Sequence, residues 1–167
     1  MKLTQLILDE LESETERTRR ALERLPEGKH DWKPHDRSMM FGYLADMVAT
    51  MPSWVTMMVK QPELDINPSG PRPAREPLKT SSDHLAALDK AMAGARDALQ
   101  STSDEHLMTN WRLLAGGTVV MEQPRYVMIR DTINHWAHHR GQMTVYLRLM
   151  GAPVPALYGP SADDQRF

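Results

Sequence analysis

Residues 124–150 read PRYVMIRDTINHWAHHRGQMTVYLRLM, with Gly151 and Pro153 just beyond. Proline is tolerated in the first turn of a helix, where its missing N–H has no intrahelical partner anyway, and glycine followed by proline stops one. The stretch therefore predicts one long helix from about Pro124 to Met150. At about 100° per residue, positions 135 and 139 fall about 40° apart and one turn from each other on one helix face. His135 and His139 share that face with Met128, Asp131, Thr132, Gln142, Tyr146 and Leu149, and opposite them lie Arg130, Ala137, Arg140, Thr144 and Arg148. If the arginines mark solvent, the histidine pair points inward, toward a pocket at the centre of the fold. A polar stripe on a buried side is costly unless something satisfies it.

Outward from this helix, Trp111-Arg112-Leu113-Leu114 and Thr118-Val119-Val120-Met121 flank Ala115-Gly116-Gly117, the pattern of a short β-hairpin. Residues 101–110 read as a polar turn region. Thr80-Ser81-Ser82-Asp83 reads as a capped helix start, and Leu85, Leu88, Met92, Ala95 and Leu99 carry its apolar stripe to about Gln100. Residues 61–79 hold Pro62, Pro68, Pro71, Pro73 and Pro77 and are expected to form a long irregular crossover on the surface. Ser38 is the expected N-cap of a helix running to about Met51, with Met40, Tyr43, Leu44, Met47 and Met51 on its apolar stripe, and resuming over 54–59 beyond Pro52. Leu3, Ile7, Leu11, Thr18, Leu22 and Leu25 mark a helix over 3–25, closed by Pro26-Glu27-Gly28. Glu14 falls on its apolar side and is expected as a partly exposed carboxylate. Four amphipathic helices with one long crossover predict an all-α four-helix bundle, with the hairpin before the last helix and residues 1–167 as a single domain.

Composition narrows the function classes. A net charge of −2 offers no general basic face for neutralising phosphates, so no nucleic-acid partner is expected. The absence of cysteine excludes a disulfide framework, a thiolate metal site and a cysteine nucleophile on this chain. The start, Met1-Lys2-Leu3-Thr4-Gln5, has no apolar signal core, and no window reaches the roughly 18 apolar residues of a membrane span, so a cytoplasmic protein without a membrane partner is expected.

The seven histidines divide in two. His30, His35, His84 and His106 read as surface or loop residues. His135, His138 and His139 stand together. Imidazoles at i and i+4 can grip one metal ion, with Asp131 one turn earlier as an orienting acceptor and His138 offset as a third ligand, a supporting group or a helix contact. The alternative is a pair of core histidines satisfied by carbonyls or water. A Ser/His/Asp triad lacks any Gly-x-Ser-x-Gly elbow.

The run Asn134-His135-Trp136-Ala137-His138-His139-Arg140-Gly141-Gln142, continuing through Val145-Tyr146-Leu147-Arg148, resembles the last-helix signature of the DinB-like (DNA-damage-inducible) superfamily. Trp32-Lys33-Pro34-His35 with Ser38-Met39, and the tail from Ala152 to Ser161, resemble the same family. The resemblance implies a four-helix bundle, a homodimer, and a divalent transition metal (Ni, Zn or Fe) held by three histidines. Two of these map onto His135 and His139. The third belongs in a Leu-Ala-x-His pattern on helix two, where this chain reads Leu44-Ala45-Asp46-Met47. Met47 thus replaces an imidazole with a thioether, a soft ligand better suited to Cu(I) than to Zn²⁺ or Ni²⁺. Three arrangements follow: a metal on His135, His139 and waters or Glu14; a site empty of metal, with a small molecule or water between the histidines; or entry of His138. Three functions follow, the first of them implied by the resemblance. One is a metal-dependent transferase acting through a small-molecule thiol, which needs no cysteine on this chain. Another is a stress-response bundle that binds metal or a small molecule without turnover. The last is a structural dimer with a relic site, in which Gly141 allows close approach of a neighbouring helix or subunit.

Overall fold

The computed structural model describes residues 2–70 and 76–166. Among them are six helices and three strands: α1 (Leu3–Leu22), α2 (Phe41–Thr50), α3 (Pro52–Lys60), β1 (Glu63–Asp65), α4 (Ser81–Gln100), α5 (Asp104–Leu107), β2 (Asn110–Ala115), β3 (Thr118–Pro124) and α6 (Arg125–Leu149). The expected helical majority and hairpin are present. The expected four helices are six segments, and the hairpin has become two strands of a three-stranded sheet.

Local chemistry accounts for most boundaries. Pro52 divides α2 from α3, because its nitrogen has no hydrogen to give the preceding turn. α2 opens at Phe41 behind Met40, without a side-chain cap, and not at Ser38. Two of the orphan N–H groups at the start of α1 find a distant partner, since the Asp104 carboxylate accepts from Leu3 N (2.9 Å) and Thr4 N (3.0 Å). That carboxylate sits on α5, a short helix inside the stretch expected to be a polar turn.

α4 begins with a reciprocal capping box. The Thr80 hydroxyl accepts from Asp83 N at 3.0 Å and the Asp83 carboxylate accepts from Thr80 N at 2.9 Å. Thr80→Ala is expected to lower stability by about 1 kcal/mol. An unshifted urea midpoint in that variant would show that Asp83 alone caps the helix.

The crossover is less irregular than expected. β1 lies parallel to β2, with Leu64 opposite Leu113, while β2 and β3 pair antiparallel in the order β1-β2-β3. Gly116 (φ 61°) and Gly117 (φ 79°) make the turn, both in the left-handed region that matches a two-residue hairpin. The Asp65 carboxylate accepts their N–H groups at 2.9 and 2.7 Å and ties β1 to the turn. Pro71 and Pro73 lie outside the described residues.

The core fills the space between α1, α2, α3, α4 and α6, with Leu11, Leu22, Leu44, Val55, Leu88 and Ile129 among its buried side chains. No described helix is long and apolar enough to cross a membrane.

Candidate functional site

The rotation of α6 decides the site. Its most buried residues are Ile129, Ile133, Trp136, Arg140, Met143 and Leu147. At about 100° per residue these positions share one meridian, and positions 135 and 139 lie roughly 80–120° round the helix from it. Trp136 anchors this rotation by donating its indole N–H to the Val48 carbonyl on α2 at 2.7 Å. His139 is therefore buried at the flank of the helix, and His135 stands exposed at its edge. The expectation that the pair points to the centre of the fold is corrected by about one residue step. Arg140, expected to mark solvent, occupies the interior.

Arg140 is compatible with burial because both its terminal nitrogens are partnered there, although its Nε has no partner among the described residues. Its guanidinium donates to Glu14 Oε2 (2.5 Å), Glu14 O (3.0 Å), Thr18 Oγ1 (3.1 Å) and the Tyr158 hydroxyl (2.6 Å). The Tyr158 hydroxyl donates in turn to Glu14 Oε2 at 2.9 Å, and Arg17 donates to Glu14 Oε1 at 2.7 Å. Burial, with the hydrogen bond to Glu14, pushes the Tyr158 hydroxyl above its ordinary pKa. Glu14 is thus neither a partly exposed carboxylate nor a metal donor. It is the acceptor of a buried network joining α1, α6 and the C-terminal tail.

The two imidazoles do come together. His135 Nε2 and His139 Nε2 are 2.7 Å apart, and His139 Nδ1 is 2.7 Å from Gln142 Oε1. An amide oxygen only accepts, so His139 carries its proton on Nδ1 and its Nε2 lone pair is free to accept from His135 Nε2–H. His135 Nδ1 is then left as an acceptor at the outer end of the chain. Burial, followed by the neighbouring His139 and His138, pulls the His135 pKa below its ordinary value.

Gln142, not Asp131, orients the pair. Asp131 faces solvent and lies 3.6 Å from Arg130. His138 is exposed, with its ring edge-on to His139 at 5.2 Å. Met47 is half-buried against the core, while Met40 and Tyr43, expected on its buried face, are exposed. Asp46 turns away toward His84 Nε2, 3.0 Å distant but off line for a good hydrogen bond. His84 is not a surface residue: it is 1% exposed and its Nδ1 donates to the Thr80 carbonyl at 2.7 Å. Among the described residues no three His, Asp or Glu side chains are placed to hold one metal ion.

His135 stands on the rim of a cleft of about 470 Å³ between α3, the sheet and α6. Trp54, Met57 and Met58 of α3, Trp111 of β2, Met121 of β3 and Met128 of α6 form much of its wall. Its polar lining comes from Asp131, Thr132 and His135, all on α6. The Trp54 ring lies 5.9 Å from that of His135. Hollows of about 590 and 470 Å³ open elsewhere, and neither is lined by His135 or His139. The cleft carries no local sequence signature, since its walls come from five separate elements, α3, β1, β2, β3 and α6. The nearest signal is the Trp54, Met57, Met58 cluster on the resumed helix.

The DinB family model matches residues 1–166. The chain belongs to the DinB family. A DinB-like protein from Bacillus cereus ATCC 10987 shares the fold with a TM-score of 0.69 and 23% identity, over 91% of this chain and 95% of that one. A second DinB-like protein, YjoA of Bacillus subtilis, superposes with a TM-score of 0.67 and 17% identity, over 96% of this chain and 99% of its own. The uncharacterized protein YrdA of Bacillus subtilis (strain 168) is 31% identical over 89 residues, 53% of this chain. The chain spans about half the length of that relative, 51%.

Proposed function

We propose that this DinB-family protein binds a small molecule in the cleft between α3, the sheet and α6, with His135, backed by His139, on its polar edge. The observation that carries this reading is the junction of an apolar hollow of about 470 Å³ with the imidazole of His135 on its rim, linked to His139 behind it. Ligand sites combine an apolar enclosure of this size with a few placed polar groups. Equilibrium dialysis with 2-methylnaphthalene tests it. Binding is expected in the unaltered protein and should fall at least about tenfold in Met128→Trp, which fills the wall. Equal binding by the two proteins would place the molecule elsewhere.

A transition metal on His135 and His139 is the second reading, favoured by the Gln142 contact that leaves His139 Nε2 as a lone-pair donor. The donor set does not fit a three-histidine ion. Two imidazoles are present, and their 2.7 Å separation must open to about 3.3 Å to span tetrahedral zinc. The thiol-dependent transferase reading needs that ion, so no step is derived through it. Elemental analysis of untagged protein after incubation with Ni, Zn or Fe separates the readings. Retention near one equivalent would favour the metal, and less than about a tenth would end that reading.

The homodimer remains a proposal. The close approach expected at Gly141 is not made within the described chain, where no atom outside its own helix turn comes within 4 Å of the position a Cβ would take.

A further inference from the structure

We propose that the ligand of this cleft is a neutral aromatic molecule carrying a hydrogen-bond donor, that is, a phenol or an arylamine. The inference rests on the cleft being the binding site and adds the chemistry of its occupant.

The wall selects the body of the ligand. Trp54 and Trp111 present indole rings, and Met57, Met58, Met121 and Met128 present thioethers. Sulfur and aromatic edges pack well on a flat ring, and unbranched methionines adjust to its outline.

The rim selects the head group. Thr132 spends its hydroxyl proton on Met58 Sδ, 3.7 Å away. Asp131 is a carboxylate and accepts only. His135 gives its Nε2 proton to His139, whose own proton goes to Gln142, so Nδ1 is left accepting. The polar atoms left over at the rim are acceptors, and the matching group on a ligand is a donor. The lining contains no lysine or arginine, and its one formal charge is the Asp131 carboxylate. A carboxylate or sulfonate ligand would therefore meet the Asp131 carboxylate, while Arg130, 3.6 Å from Asp131, lies outside the lining.

The test is equilibrium dialysis of untagged protein in EDTA at neutral pH, against 2-naphthol, 2-methylnaphthalene and 2-naphthoate. These share a ring system and differ in the head group. 2-Naphthol is expected to bind about tenfold more tightly than 2-methylnaphthalene, the scale of one well-made hydrogen bond, with 2-naphthoate weakest. In His135→Phe, which keeps a planar ring and removes the acceptor, 2-naphthol should fall to the level of 2-methylnaphthalene while the latter is unchanged. Equal binding of 2-naphthol and 2-methylnaphthalene to the unaltered protein would overturn the donor requirement and leave the cleft as a site. Tightest binding of 2-naphthoate would overturn the charge argument. Failure of all three would remove the cleft reading itself.

Discussion

Arg140→Ala is expected to lose about 3–5 kcal/mol of stability, the cost of removing one partner of a buried ion pair. For a domain of this size that is a fall in Tm of about 6–20 °C. The magnitude follows from what the guanidinium holds. It is 0% exposed, and its removal takes the buried cation from the Glu14 carboxylate, itself 7% exposed, which keeps only Arg17 and the Tyr158 hydroxyl, and takes the donor from the Glu14 carbonyl and the Thr18 hydroxyl. The Tyr158 hydroxyl also loses a donor, so the C-terminal tail should loosen with the core. The paired replacement Glu14→Leu with Arg140→Met should recover most of the loss, because exchanging a whole buried ion pair for apolar groups is often neutral. Thermal and urea unfolding of the two variants measure this. A single variant as stable as the unaltered protein would mean that the network contributes nothing net.

Met47→His is expected to raise Zn²⁺ affinity by about 100-fold or more. Second-sphere partners alone are worth about 10–100-fold, and a third imidazole is a direct ligand. Met47 is half-buried on α2, and α2 packs against α6, which carries His135 and His139. The Gln142 contact already orients His139 for a metal at Nε2. Competition with a chromophoric chelator reads the change directly, and circular dichroism confirms that the helices persist. An affinity unchanged by the substitution would mean that position 47 does not face the pair, and would remove the correspondence drawn from the Leu44-Ala45-Asp46-Met47 pattern.

Much of the architecture was legible because it is written in local chemistry. Pro124 and Gly151 bracket α6, Thr80 and Asp83 form the capping box of α4, and Gly116-Gly117 turns the hairpin. Each of these is a short-range constraint that needs no knowledge of the rest of the chain. β1 was not legible, because Glu63-Leu64-Asp65 is three residues among prolines and becomes a strand only by pairing with β2. α5 was missed for a similar reason, since a single turn has no period to read.

The site divides along the same line. That His135 and His139 share a direction follows from helix geometry alone, and their nitrogens do meet at 2.7 Å. Which way that direction points is a property of the packed protein. Arginines mark solvent by a sound rule for an isolated helix, whose long cationic side chains normally reach water. Arg140 breaks it because Glu14 and Tyr158, 126 and 18 residues away in the chain, neutralise and solvate it inside. Sequence alone determined the family, the helices and the histidine pair, because these depend on contacts within a few residues. Tertiary structure decided the rotation of α6 and with it the cleft, because the cost of burying a charge depends on partners that only folding brings near.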